Sequence, residues 1–293
     1  MEFIENIKLI YGNSGLVWLE NLPVLASTLA KIWNLRDLVS CEDLSYNYVM
    51  SGWRNDLPII LKIGIDLRSI QQECSAIHAF NGHGLIKLLE ADLDHGAILI
   101  TRAVPGRTLV ALFHDADDKA LGIACNLARQ LHKATMPSEH KFPMLSEWFS
   151  IIDQNWDLPN EKLQLARNLK NDLFNNSKTN VLLHGDLHYA NILSDSDDWV
   201  VIDPKGVIGD PMYDMTGCLL REPFKQMMGL SDIKGRLQHR MKFVAEYLKT
   251  DLKQVWVWTY IQSVMSICWS LEDGQDVSLK RVFLGILEES YKE

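Results

Sequence analysis

The 293-residue chain is short of basic charge: 29 Lys and Arg stand against 38 Asp and Glu, a formal net charge of −9. Neutralising the phosphates of a nucleic acid takes clustered Lys and Arg, so no nucleic-acid partner is expected. The same deficit is compatible with a cationic substrate. Paired cysteines are lacking too. Cys41, Cys74, Cys125, Cys218 and Cys268 are odd in number and scattered, with no CxxC pair and no Cys/His zinc spacing. Free thiols suit a reducing compartment, and a cytoplasmic location is expected. Nor is there a long apolar run. VWVWTYIQSVMSICW, near the C-terminus, is broken by Gln262 and several hydroxyls and is short for a bilayer, so no membrane partner is expected. The opening MEFIENIKLI carries acids where a secretory signal has a basic region and an unbroken apolar core. Internal repeats, low-complexity runs and Pro/Gly-rich linkers are absent as well.

What is present is enough to bury a large core: 47% of the residues are hydrophobic. Apolar spacing predicts a helix over residues 16–32, with Pro23 bending or interrupting it. Residues 38–53, 57–64 and 97–104 are rich in branched and aromatic side chains and read as strands. Between the last two lies a helical pattern over 67–80, with Ile70, Cys74 and Ile77 on the apolar side and Gln and Glu on the other. After Pro105-Gly106 the signals turn helical, over 119–133, 162–174, 237–250 and 252–271. The exception is 181–203, two short apolar strands around a polar loop. The expected class is therefore α+β. A leading helix, an antiparallel sheet and one packed helix fill 1–103, and a helix-rich part fills 104–293.

The polar loop carries the chemistry. In His184-Gly185-Asp186-Leu187-His188-Tyr189-Ala190-Asn191, an Asn follows an Asp by five residues, and Asp203 ends the next apolar strand. A hairpin turns Asn191 and Asp203 toward one pocket, and hard oxygen donors of this kind suit magnesium bound to phosphate. Asp186, ahead of the strand, is placed to accept a proton from an attacking hydroxyl. A single Asp or Asn in a loop is ordinarily a turn or cap residue; the spacing of all three between apolar strands favours the site. His184 and His188 have the i, i+4 spacing of a helical metal pair, but Gly185 and the flanking strands put them on a loop. Lys62 interrupts an apolar strand and needs a partner. Glu73, eleven residues on, lies on the predicted helix, and Asp66, in the turn, is the second choice. The plainer reading is an edge-strand surface lysine and a solvated glutamate.

HGDLHYAN followed by IDPKG resembles the catalytic and metal-binding loops of aminoglycoside phosphotransferases, which are relatives of protein kinases. Protein kinases normally carry Arg where Gly185 stands and Phe-Gly after the second Asp. NGHGLIKLLEAD, LHGDLHYANIL, WVVIDPKGVIGD and CWSLEDG are similar to the streptomycin and hydroxyurea phosphotransferase group, and the likeness spans residues 33–275. It implies a bilobal protein-kinase-like fold, with a nucleotide-binding lobe over 1–103 and a catalytic, acceptor-binding lobe over 104–293. It implies ATP, with GTP as the other donor, and Mg²⁺. Asp186 would be the catalytic base, Asn191 and Asp203 the metal ligands, and Lys62, held by Glu73, the contact to the phosphates. His184 would hold the loop by bonding backbone. Residues 41–47 replace the usual glycine-rich phosphate loop, leaving contacts to Ser45 and the amides around it. Adenine would lie against Thr101, Arg102, Ala103 and Val104. The acceptor would be a small, cationic hydroxyl compound such as a streptomycin-type aminoglycoside. Asp214, Glu222, Glu272 and Asp273 would supply carboxylates and Trp269 a ring to stack on; caps, solvated acids and a core tryptophan are the plainer readings. Asp210 would order its own turn. The rival readings are a kinase of a cellular metabolite, a metal-dependent hydrolase using His184 and His188, a non-catalytic nucleotide-binding module, and a protein kinase. No APE segment follows Asp203 to support the last.

Overall fold

A computed structural model describes residues 2–42, 44–136, 142–176 and 179–291. Asp43 of the expected phosphate-covering loop, and chain positions 1, 292 and 293, lie outside the described residues. Two compact units form. One comprises the residues up to Gly106 together with Ser194–Val200, and the other Arg107–Leu193 with the residues from Val201 onward. The division thus falls three residues beyond the expected 103/104 boundary, and a hairpin tip from the later sequence joins the first unit.

The first unit opens with a long helix, α1 (Glu2–Ile32). Leu22, Ala26 and Leu29, followed by Trp33 just past its end, recur every three or four residues on its buried side. The helix runs through Pro23; its break is at Gly12 (φ 54°, ψ −128°), a conformation glycine adopts without a Cβ clash. There follow β1 (Leu35–Ser40), β2 (Asn47–Arg54), β3 (Leu57–Gly64), α2 (Leu67–Ala79), β4 (Leu88–Asp92) and β5 (Ala97–Thr101). The stretch read from 38 to 53 is in fact two strands around a turn, and β4 was not anticipated. The strands form one antiparallel sheet in the order β1-β2-β3-β5-β4. β3 is therefore central. Its Ile59, Leu61 and Ile63 join Phe3, Ile7, Leu22, Leu29 and Trp33 of the α1 side in one core. Alternation along a strand sends Lys62 to the opposite face.

The short strand β6 (Pro105–Thr108) leads into the second unit. Its helices are α3 (Asp117–Leu131), α4 (Leu145–Phe149), α5 (Asn160–Asn176), α6 (Gly217–Arg221), α7 (Phe224–Met228), α8 (Ile233–Leu248), α9 (Leu252–Glu272) and α10 (Ser278–Tyr291). α9 is apolar around most of its circumference because α5, α6, α8 and α10 all pack on it. Among the described residues no helix is long and apolar enough to cross a membrane. Two strand pairs interrupt the helices. β7 (Val181–Leu183) pairs antiparallel with β10 (Val207–Gly209), and β8 (Ile192–Asp195) neighbours β9 (Asp198–Val201). Leu183 opposite Val207 brings the polar loop after β7 beside the one before β10.

Candidate phosphoryl-transfer site

In the first unit α2 covers the face of β3 that carries Lys62. The buried row of α2 is Ile70, Glu73, Ala76 and Ile77, so Glu73 occupies the apolar side, and Cys74 is only half-buried. A carboxylate is tolerated there because Lys62 Nζ lies 2.8 Å from Glu73 Oε1 and 2.7 Å from Oε2. Both side chains are under 10% exposed. Partnered so closely, the two charges offset a desolvation cost that either alone could not carry. Asp66, the second choice, caps α2 instead, accepting from the N–H groups of Arg68 (3.1 Å) and Ser69 (3.2 Å).

Residues 101–104 are largely committed. The N–H groups of Thr101 and Arg102 donate to the carbonyls of Lys87 (2.9 Å) and Pro58 (3.0 Å). Val104 donates to Asp195 Oδ1 (3.1 Å) and its C=O accepts from Ser196 N–H (2.7 Å). The Thr101 hydroxyl accepts from Lys87 N–H (3.0 Å), and the Arg102 guanidinium lies over the Trp53 ring, 5.2 Å from its centroid. Among the described residues the N–H and C=O of Ala103 have no partner, so a purine edge in this segment would meet Ala103 rather than the side chains of Thr101 and Arg102. Ser45 is exposed, and its C=O accepts from Asn6 Nδ2 of α1 (3.2 Å).

In the second unit the 184–191 loop is tied down atom by atom. His184 is fully buried; its Nδ1 accepts the Asp186 N–H (3.2 Å), so Nε2 carries the proton and donates to the Ile202 C=O (2.8 Å). Burial pushes its pKa down, against the pull of the Asp214 charge and the Ile202 carbonyl. The His184 C=O accepts from Lys205 and Gly206 N–H, joining the two polar loops. Gly185 has φ +86°, and a Cβ there would stand 2.9 Å from Trp148 Cη2 and 3.2 Å from Lys205 Cβ, so only glycine fits. Asn191 is buried, and its Nδ2 donates to the Asp186 C=O (3.0 Å), which leaves Oδ1 as the atom available to a cation. The Asn191 C=O accepts from Ile202 N–H (3.0 Å), so Asp203, the next residue, stands beside it. Asp203 adopts φ +59°, a left-handed conformation of the kind held at functional sites. Asp186 keeps its carboxylate 38% exposed, with His188 Nε2 3.9 Å from Oδ1. His188 Nδ1 accepts from Ala190 N–H (3.3 Å).

These donors fit one hard cation. Asn191 Oδ1 and Asp203 would supply two oxygen donors, as few as magnesium takes when phosphate and water complete its octahedron. Among the described residues no group of three or more His, Cys, Asp or Glu is arranged to hold a metal. His184 has both ring nitrogens engaged with backbone, which removes it from the ligand set the hydrolase reading requires.

Asp214 needs correcting. Its side chain is wholly buried; it accepts from the N–H of His184 (2.8 Å) and Gly185 (3.0 Å) and meets His132 Nε2 at 2.9 Å. It holds the loop from behind and cannot be an acceptor-binding acid. Burial alone would raise its pKa, but the hydrogen bond and charge of His132, with His184 and the Gly185 amide, hold it below the usual carboxylate range. Glu222 is also engaged, accepting from Phe224 N–H (2.7 Å) with Arg221 Nε at 3.5 Å. Trp269 is half-buried and meets Trp148 edge-on at 5.9 Å, and Trp148 borders Gly185. Glu272 and Asp273, three and four residues on, are exposed near the same helix face.

Sequence reasoning missed four groups. Tyr189 sits at the centre of the loop, with its hydroxyl on Asp117 Oδ1 (3.3 Å) and the Arg240 guanidinium 5.3 Å above its ring. Arg240, fully buried, bonds Asp117 and the carbonyls of Leu220 and Glu222. Arg221 is buried beside Cys218 Sγ (3.5 Å). Lys280 donates to Ser270 Oγ (2.6 Å), and burial, then the Arg221 charge, lower its pKa. An arginine inside the apolar run GCLLREPF is the same signal that exposed Lys62 and would have found Arg221.

Comparison with known proteins follows the same line. A family model described as aminoglycoside/hydroxyurea antibiotic resistance kinase matches residues 49–274. Streptomycin 6-kinase of Streptomyces glaucescens is 25% identical over 276 residues, covering 90% of this chain and 88% of its own. Hydroxyurea phosphotransferase of Kitasatospora aureofaciens is 25% identical over 303 residues, covering 97% and 85%. Among solved structures, a thermostable mutant of aminoglycoside phosphotransferase APH(4)-Ia, in ternary complex with ADP and hygromycin B, superposes with a TM-score of 0.65 at 13% identity over 90% of this chain and 96% of its own. At that identity the likeness is one of fold, the α+β class shared with protein kinases.

Proposed function

Because the chain belongs to the aminoglycoside/hydroxyurea antibiotic resistance kinase family, we propose that it transfers the γ-phosphoryl group of ATP to a hydroxyl of a small polar acceptor of the streptomycin type. The acceptor oxygen forms a bond to the γ-phosphorus, the bond to the β-γ bridging oxygen breaks, and ADP leaves. Asp186, with its exposed carboxylate, orients the acceptor hydroxyl and takes its proton. Lys62, steadied by Glu73, contacts the phosphates of the nucleotide. Asn191 Oδ1 and Asp203 are the groups that would hold Mg²⁺, which when bound neutralises charge on the phosphate oxygens. The N–H and C=O of Ala103 offer a donor and an acceptor to a purine edge, a pair that ATP or GTP can use. One observation carries the reading: Asn191 Nδ2 is locked on the Asp186 C=O, which ties a prospective metal ligand to a prospective base at fixed spacing.

The test is a coupled ADP-release screen over aminoglycosides, hydroxyurea, amino sugars and cationic alcohols, with mass spectrometry for the added phosphate. Asp186→Ala is expected to lower turnover by about two to four powers of ten with nucleotide binding near normal. Undiminished turnover would overturn the assignment. A second reading, phosphorylation of a cellular metabolite of mixed charge, draws support from Arg221 and Lys280 near Glu222 and Asp273. Amino sugars in the screen address it directly.

A further inference from the structure

Trp148, which stands against Gly185 of the 184–191 loop, meets Tyr213 edge-on at 6.2 Å and Trp269 at 5.9 Å. α9 fixes the Tyr213 turn: Gln262 Nε2 donates to the Tyr213 C=O (3.2 Å) and to Thr216 Oγ1 (2.8 Å). α6 continues from that turn, and its Arg221 Nη2 reaches Cys218 Sγ at 3.5 Å. Lys280 of α10 donates to Ser270 Oγ (2.6 Å), next to Trp269, and to the Ser266 C=O (3.3 Å).

Tyr213 and Arg221 are both buried, yet each keeps an unused polar group. The Tyr213 hydroxyl and Arg221 Nη1 have no partner among the described residues, where Gln262 Oε1 is the single enclosed side-chain oxygen or nitrogen without one. Both groups therefore open onto space. Because their residues are buried, that space is a recess and not the outer surface. It lies beside Asp186: burial raises the pKa of the Tyr213 hydroxyl and of the Cys218 thiol, and at both the charges of Asp186 and Arg221 pull in opposite directions. Arg221 is weakly engaged, since Glu222 stands 3.5 Å from its Nε and accepts a closer bond from Phe224 N–H (2.7 Å). Burial, and then the Arg221 charge, lower the Lys280 pKa, so two cations crowd one recess and an anion between them relieves both. Asp186, Glu222 and Asp273 are near the same cations, which favours a single negative charge over a dianion.

A polycation would set its charges against Arg221, whereas a carboxylate meets the planar edge of the guanidinium with both oxygens. We infer that the acceptor carries a carboxylate beside its reacting hydroxyl, and that Arg221, assisted by the Tyr213 hydroxyl, is the specificity-determining contact to it. The inference rests on the transfer reading and narrows its acceptor to the mixed-charge alternative.

The experiment follows ADP release by the full chain with ATP and magnesium. Gluconate, glucuronate and muramic acid are each offered beside their methyl esters, together with glucosamine and streptomycin. Among the compounds that turn over, an acid is expected to exceed its ester in kcat/KM by about ten- to a hundredfold, the worth of a hydrogen bond to a charged group. Arg221→Gln, checked for an unchanged melting curve, is expected to raise KM for the acid at least about tenfold, with kcat and the ester little changed. Arg221→Lys, which keeps the charge and loses the fork, should fall between; it carries the comparison if Arg221→Gln does not fold. Equal use of acid and ester, or streptomycin as the preferred acceptor, overturns the inference. Equal losses for acid and ester in the Arg221 variants overturn the role of Arg221. ADP release that stays at the Asp186→Ala level with every compound overturns the transfer reading itself, and this inference with it.

Discussion

Asn191 is oriented by the atoms around it: Nδ2 on the Asp186 C=O and its own C=O on Ile202 leave one side-chain oxygen without a protein partner among the described residues. Asp203, next to Ile202, holds a left-handed backbone whose cost is on the order of 1–3 kcal/mol. Asp203→Ala is therefore expected to weaken nucleotide binding in the presence of magnesium and to leave metal-free binding nearly as it was. Calorimetry with and without the metal reads this, and equal losses in both would refute the ligand role. These residues were readable because a polar side chain between apolar strands has few structural uses. The same logic found Lys62 and Glu73. The acceptor role that the resemblance implied for Asp214 is another matter, since neither resemblance nor spacing reveals that a carboxylate near a helix start is roofed over by two backbone amides and a histidine.

The 184–191 loop behaves as an element in its own right, clamped at His184 and Gly185 by Asp214, at Tyr189 by Arg240 and Asp117, and at Asn191 by Ile202. His184 in the loop and Asp214 behind it tie stability to pH. His184 has a lowered folded pKa, so below about pH 6.5 the unfolded chain binds a proton that the folded chain refuses. Stability is complete above that value and declines as pH falls toward the folded pKa. Asp214, also lowered, adds stability that is present above about pH 3.9 and lost as pH falls through its folded value. Thermal melts from pH 8 to 5 should show a falling midpoint, with a shallower slope in His184→Gln; identical slopes would remove His184 from the account. At this scale the long helices were readable from their apolar period, α9 among them. β4 was not, because Leu88–Asp92 is a half-buried strand of five residues whose pattern only its pairing with β5 makes plain.

Over the helix-rich unit as a whole, Arg240 acts as a buried junction. It joins α8 to Asp117 at the start of α3, to the Tyr189 hydroxyl, and to the carbonyls of Leu220 and Glu222. Arg236 also reaches Asp117, and together the two arginines hold its pKa low despite burial, which alone would raise it. Arg240→Met leaves a buried carboxylate under-compensated and is expected to cost about 3–5 kcal/mol in urea unfolding. Adding Asp117→Leu should restore a substantial part, since the unpaired charge goes with it; no recovery would mean that shape rather than charge holds the junction.

The linear chain by itself determined the α+β class, the loop of Asp186 and Asn191 with Asp203 behind it, and the pairing of a strand lysine with a helix glutamate. Each is written in local spacing, where hydrophobic period and strand alternation dictate which side chains share a face. Only the tertiary structure decided that Asp214 supports the loop from behind and that Arg240 secures it. Those roles depend on burial and on partners up to 123 positions apart, as for Asp117 and Arg240, and neither quantity exists until the chain has closed on itself.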